Sequence, residues 1–192
     1  MWREAPETFS PDLSGDADYR NQVPLARAVP LWGGCADGGF SIVAFHQKRK
    51  LKAPEWARIV RQGHLARAIK ATMPVRPHGP WSVLCDNESF LRARVSREAH
   101  AAAGVALWNM PPKSPDLNPV ERCWAWLRRK LRGMDLADAV ARRRVLSKAE
   151  YKARVRGIFR TQKAQLVARN QTRPMKKVCR AVLQKKGAAT GF

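Results

Sequence analysis

Cysteine, tyrosine and acidic residues are scarce in this chain, and long apolar runs are missing. The four cysteines, Cys35, Cys85, Cys123 and Cys179, include no Cys-x-x-Cys pair. Neither a zinc cage nor a disulfide framework is therefore indicated. They read as reduced thiols, mostly core-packed, in an intracellular protein. No apolar run approaches the roughly 20 residues of a membrane-spanning helix, so no membrane partner is expected. The opening residues, Met1-Trp2-Arg3-Glu4-Ala5-Pro6-Glu7, are polar and acidic, unlike a secretory signal. Tyr151 and Phe159 are the only aromatic residues in the 60 positions before Phe192. That scarcity argues against base stacking, and so against an unrelated basic RNA-binding protein.

What the chain has in excess is positive charge. Lys and Arg number 37 against 15 Asp and Glu, a net of +22. Residues 1–40 hold six acids and three bases, a net of −3, whereas residues 122–192 hold 21 bases and three acids, a net of +18. A field of that size draws polyanions and makes their binding steeply salt dependent. Nucleic acid is the expected partner. Arg128, Arg129, Arg142, Arg143, Arg144, Lys152, Arg156, Arg160 and Lys163 are the expected phosphate contacts, without sequence preference.

Residues 1–23 are rich in Pro, Ser and Asp without periodicity and read as an irregular acidic lead-in. Residues 24–135 read as the folded core and 136–192 as a basic helical region. Val29 to Cys35 and Phe40 to Gln47 are apolar segments joined through Asp37-Gly38, a hairpin signal. Pro54 stands where a first helical residue should. Trp56, Ile59, Val60 and Ile69 follow at helical spacing, with Gly63 a weak point. Ser82 to Cys85 reads as a buried strand, Phe90 to Ala103 as a helix closed by Gly104, and Val105 to Met110 as another strand. Asn118 then caps a helix with Pro119 at its first position. Its inward residues are Val120, Cys123, Trp124, Leu127 and Leu131. Residues 148–169 are expected to form one basic helix with Val155, Ile158, Phe159 and Leu166 inward. Met175, Val178, Cys179, Val182 and Leu183 form an apolar stripe in a last helix, ended by Gly187. Strands alternating with helices imply an α/β layer structure with parallel pairing among the later strands.

Two carboxylates stand out. Asp86 ends the apolar run Trp81-Ser82-Val83-Leu84-Cys85 and precedes Asn87; Glu121 lies in the first turn after Asn118, with 34 residues between the two. A carboxylate at the C-terminal end of such a strand lies where α/β sheets place their sites. Phosphodiester cleavage by two divalent ions needs hard oxygen ligands converging on metals about 4 Å apart. Each carboxylate also has a simpler reading. Asp86-Asn87 suits a turn after a strand. Glu121, three residues after Asn118, has capping-box spacing. Asp116 and Asn118 suit turn and cap positions.

The block Ser114-Pro115-Asp116-Leu117-Asn118-Pro119-Val120-Glu121, followed by Cys123-Trp124-Ala125-Trp126-Leu127, closely resembles the hallmark block of mariner-superfamily DDE transposases. Leu31-Trp32-Gly33-Gly34 resembles that family's Val-Trp-Gly strand, and Pro174 to Val182 through Gly187 to Thr190 its C-terminal helix and end. The resemblance covers about residues 24–192. It implies a ribonuclease H-like mixed sheet flanked by helices that cuts and joins DNA. Asp86 and Glu121 would be two of three catalytic, metal-binding carboxylates for Mg²⁺ or Mn²⁺, with Asn87, Asp116 and Asn118 as motif support. Transposon ends and a DNA target would be the partners, and the nucleus the site of action.

Two departures shape the expectation. Asn87 is followed by Glu88-Ser89-Phe90, where the family usually has a His nearby, and His100 lies too far on. The family's first catalytic Asp lies on the first, central strand some 40 residues before the Trp-Gly segment. Asp12, Asp16 and Asp18, the only Asp residues upstream of Trp32, sit in no apolar run. The expectation is a core lacking its first central strand and first Asp, with an under-packed sheet. Lost burial there could exceed the ~5–15 kcal/mol that stabilises a domain, so poor solubility or homodimerisation is expected. The alternative is a transposase-derived DNA-binding protein without catalysis.

Overall fold

The computed structural model describes residues 29–46, 51–73, 80–111, 114 and 117–185. Asp116, the lead-in over 1–23 and Gly187 lie outside them. In chain order the elements are β1 (Leu31–Ala36), β2 (Gly39–Phe45), α1 (Ala53–Arg61), α2 (His64–Thr72), β3 (Trp81–Cys85), α3 (Ser89–Arg92), α4 (Arg94–Ala102) and β4 (Val105–Asn109). Then follow α5 (Pro119–Val140), α6 (Lys148–Phe159), α7 (Gln162–Thr172) and α8 (Met175–Gln184). The architecture is mixed α/β, with strands and helices alternating as expected.

Among the described residues the strands form two separate pairs. β1 and β2 make the expected antiparallel hairpin, with an irregularity between Trp32 and Gly33. β3 and β4 pair in parallel, from Trp81 opposite Val105 to Cys85 opposite Asn109. β1 and β3 thus have one strand neighbour each, and both line one cleft of about 440 Å³.

The Trp-Gly motif has a packing reason. Trp32 stacks against Trp56, ring centroids 4.4 Å apart. A Cβ on Gly33 would stand 2.7 Å from the Ser41 carbonyl and 3.0 Å from the Trp124 ring, so only glycine lets α5 approach the hairpin there. The main core joins the hairpin, α1, α2, α4 and β3 around fully buried Trp56. The Trp56 indole donates to His100 Nε2 at 2.7 Å, and buried His100 Nδ1 has no partner among the described residues. A second core sets Phe40 against Cys123, Leu127, Val155, Ile158, Phe159 and Ala168. It binds the C-terminal helices to the hairpin.

Five expectations need correction. Phe90 to Ala103 is not one helix but two, α3 and α4, because Ala93 between them is extended. Ser82 to Cys85 is only half a buried strand: Trp81 and Cys85 are buried, but Leu84 is 50% exposed. Its outer side faces the cleft, where no described strand covers it. The 148–169 helix is two helices, because Thr161 caps α7 by accepting from the Ala164 amide. The turn carries Leu166 outward. On α8 only Val178 of the apolar stripe is buried; Leu183 and Cys179 are exposed. The cysteines divide likewise, with Cys85 and Cys123 buried and Cys35 between.

Candidate active site

The cleft between β1 and β3 gathers the singled-out carboxylates. Asp86 follows the last residue of β3 and is exposed, as a strand-end residue beyond its ladder should be. Glu121 occupies the first turn of α5, which begins where predicted: Pro119 fixes the first helical φ, and Asn118 Oδ1 accepts from the Val120 amide at 3.3 Å. Asn118 joins the two loci, because its Nδ2 donates to Asp86 Oδ1 at 3.0 Å. Its cap role and its motif role are therefore one arrangement. Asn87 is a positioning residue: its Nδ2 donates to the Met110 carbonyl at 2.6 Å and ties the β3 exit to the end of β4.

The capping-box reading of Glu121 is not realised. Its carboxylate has no hydrogen-bond partner among the described residues. Burial and then the charge of Asp86 raise its pKa above the usual carboxylate range, with Arg128 opposing. The fold thus leaves a half-buried carboxylate unpaired beside another acid. A divalent cation would relieve that repulsion.

Sequence reasoning passed over Glu88. It lines the same cleft, and its pKa too is raised by burial and by Asp86, with His46 opposing. Its signal in the sequence is position, two residues after Asp86, where the resembled family usually has a His. Burial, and then the charge of Asp86, push the Cys85 thiol up to about 11.

Asp86 and Glu121 fit part of a Mg²⁺ or Mn²⁺ site. Such ions take hard oxygens and few protein carboxylates, keeping waters for the rest. Among the described residues, however, no three His, Cys, Asp or Glu side chains converge as a complete ligand set.

The expected phosphate contacts separate by partner. Arg143 meets Asp138 at 2.9 Å, Arg144 pairs with Glu150, and the unpredicted Arg154 pairs with Asp135 at 2.8 Å and with Asp138. Glu150 also completes a capping box with Ser147, so this end of α6 is closed electrostatically. Arg128, Arg129, Arg142, Arg156, Arg160 and Lys163 are exposed without ion pairs among the described residues. Lys152 is half-buried and Arg156 is exposed, and both stand over the Phe45 ring.

Comparison with known proteins fits this geometry. No curated protein sequence matches. The chain resembles the Mos1 transposase catalytic domain bound to Raltegravir with Mg (17% identity, TM-score 0.56, 90% of this chain and 89% of that one). The form with Mn gives 16% identity and a TM-score of 0.55 over 90% and 88%. The Mos1 transposase paired-end complex with the left transposon end gives 16% and 0.56 over 81% of this chain; the chain spans 43% of that longer protein. These likenesses show the fold to be of the ribonuclease H-like kind found in that catalytic domain. The family described as DDE superfamily endonuclease matches residues 33–141, from the Trp-Gly strand through Asp86 and Glu121 to the end of α5. The chain belongs to the DDE superfamily endonucleases.

Proposed function

We propose that the chain carries the carboxylate cleft of a transposase-type enzyme that cuts and joins DNA. Asp86 and Glu121 are two of its metal ligands. The observation that carries this reading is that half-buried Glu121, without a hydrogen-bond partner among the described residues, lines one cleft with Asp86, which Asn118 holds. Bound Mg²⁺ or Mn²⁺ would activate the attacking oxygen and stabilise the leaving one. Asn118 fixes the Asp86 carboxylate, and Asn87 fixes the loop that presents it. A third carboxylate enters, in this reading, on an extended segment lying between β1 and β3, whose facing sides both line the cleft. Transposon ends and target DNA are the proposed substrates.

Mn²⁺ binding followed by electron paramagnetic resonance tests the ligand assignment independently of catalysis. Asp86→Asn and Glu121→Gln should each weaken it strongly; unchanged affinity in both would reject the assignment. A second reading, DNA binding without catalysis, is favoured by the absence of a three-carboxylate cluster among the described residues. It predicts DNA binding that survives both substitutions, with no metal-dependent nicking by the unaltered chain.

A further inference from the structure

Across β2 from the carboxylate cleft lies a second recess of about 910 Å³. β2 forms one wall, with Ser41 and Val43 lining both recesses. α1, α2 and the turn between them contribute Arg58, His64 and Gln62, and α6 with its C-terminal cap contributes Lys152, Arg156 and Arg160. The sequence gives no reason to group Arg58 with residues about a hundred positions later; the fold does.

Its charge is one-sided. Arg58, Lys152, Arg156 and Arg160 face one acid, Glu55, and none of the four has an ion pair among the described residues. The acids that could have neutralised α6 are held elsewhere, Asp135 and Asp138 on Arg154 and Glu150 on Arg144. Two of the cations are ordered beforehand. The Arg156 guanidinium stands 4.7 Å and the Lys152 ammonium 5.7 Å from the centre of the Phe45 ring. Such contacts hold long side chains in place while leaving their N–H donors free. Gln165 closes one end, donating to the Phe40 carbonyl and accepting from its amide.

We propose that this groove seats the sugar-phosphate backbone of DNA, as a second contact surface distinct from the carboxylate cleft. The proposal rests on the DNA-processing reading above. Four cations without ion pairs among the described residues, two of them preordered on the Phe45 ring, suit phosphate contact without base readout.

The test is the affinity of the full chain for a 30-base-pair duplex of arbitrary sequence, measured by fluorescence anisotropy across salt concentrations without divalent metal. Arg58→Ala/Arg156→Ala/Arg160→Ala should lower the salt slope by about 2 to 3 and weaken binding at least tenfold near 0.1 M salt. The matched triple Arg92→Ala/Arg97→Ala/Lys176→Ala, also exposed cations, should change the slope by less than about 1. Duplex DNA should also protect Lys152 of the unaltered chain from an amine-acylating reagent, a readout that needs no variant. Equal effects from the two triples, or an unprotected Lys152, would overturn the groove and leave the DNA-processing reading standing. Absence of DNA binding by the unaltered chain would overturn both. Displacement by poly-glutamate at charge equivalence as readily as by DNA would reassign the groove to an acidic protein segment.

Discussion

The two recesses on either side of β2 are electrostatic opposites. The cleft holds Asp86, Glu88 and Glu121, and two of these are pushed toward protonation by burial and by the third. The groove holds four cations against one acid. The α5–α6 junction is as rich in charge as either, yet there Asp135, Asp138 and Glu150 engage Arg143, Arg144 and Arg154 in ion pairs. Charge density alone therefore does not mark function. Charge that the fold gathers and leaves uncompensated does.

The sharpest break of that contrast is chemical. In a form of the protein that nicks DNA with Mn²⁺, Asp86→Asn and Glu121→Gln should each lower the rate on the order of 10³-fold, because each removes several kcal/mol of transition-state stabilisation. A gel assay of nicked plasmid reads it. The next effect is on the scaffold behind the cleft: Trp56→Ala should cost about 3–5 kcal/mol in denaturant unfolding, since Trp56 is fully buried and donates to His100 Nε2. Gly33→Ala should cost about 1–3 kcal/mol, because its Cβ would meet the Ser41 carbonyl at 2.7 Å.

Smaller and opposite in sign is Glu121→Gln. A carboxyl with a raised pKa holds its proton more tightly folded than unfolded. Stability then falls as pH rises through the ordinary carboxylate range. The Gln variant should be the more stable at pH 7, and the difference should vanish below about pH 4. Melting curves at both pH values check this. A gain in stability beside a loss of nicking would mark Glu121 as kept for chemistry. The smallest effect should come from Arg143→Ala and Arg144→Ala. Their charges are already engaged, so the DNA salt slope should move by less than about 0.5 per substitution, against about 1 for Arg156→Ala.

Much of this fold was legible because local chemistry decides it. Asp37-Gly38, Pro54, Gly63, Gly104 and Asn118-Pro119 each set a turn or helix end, and the elements begin and stop beside them. Asp86 and Glu121 were legible through motif and spacing. Other features depend on what lies across space. The outward turn of Leu166 and exposure of Leu183 follow from which elements pack over them, and helical periodicity carries no such information. The meeting of Cys35 with Cys123, which drives the Cys35 thiol upward, joins residues 88 positions apart. The engagement of Arg143 and Arg144 likewise required knowing where Asp138 and Glu150 would stand.

Gln165 bears on a different hazard. Its amide both donates to and accepts from Phe40, 125 residues earlier, as the backbone of a neighbouring strand would. A Cβ on Gly39 would collide with it, so the chain bares its backbone there to admit it. A strand edge left open can recruit the same edge of another molecule and start an aggregate. Here one side chain from the far end of the chain acts as a stopper on that edge. A proteolytic cut or early stop codon ahead of α7 would pull the stopper out, so colloidal behaviour should worsen even where the catalytic cleft stays whole.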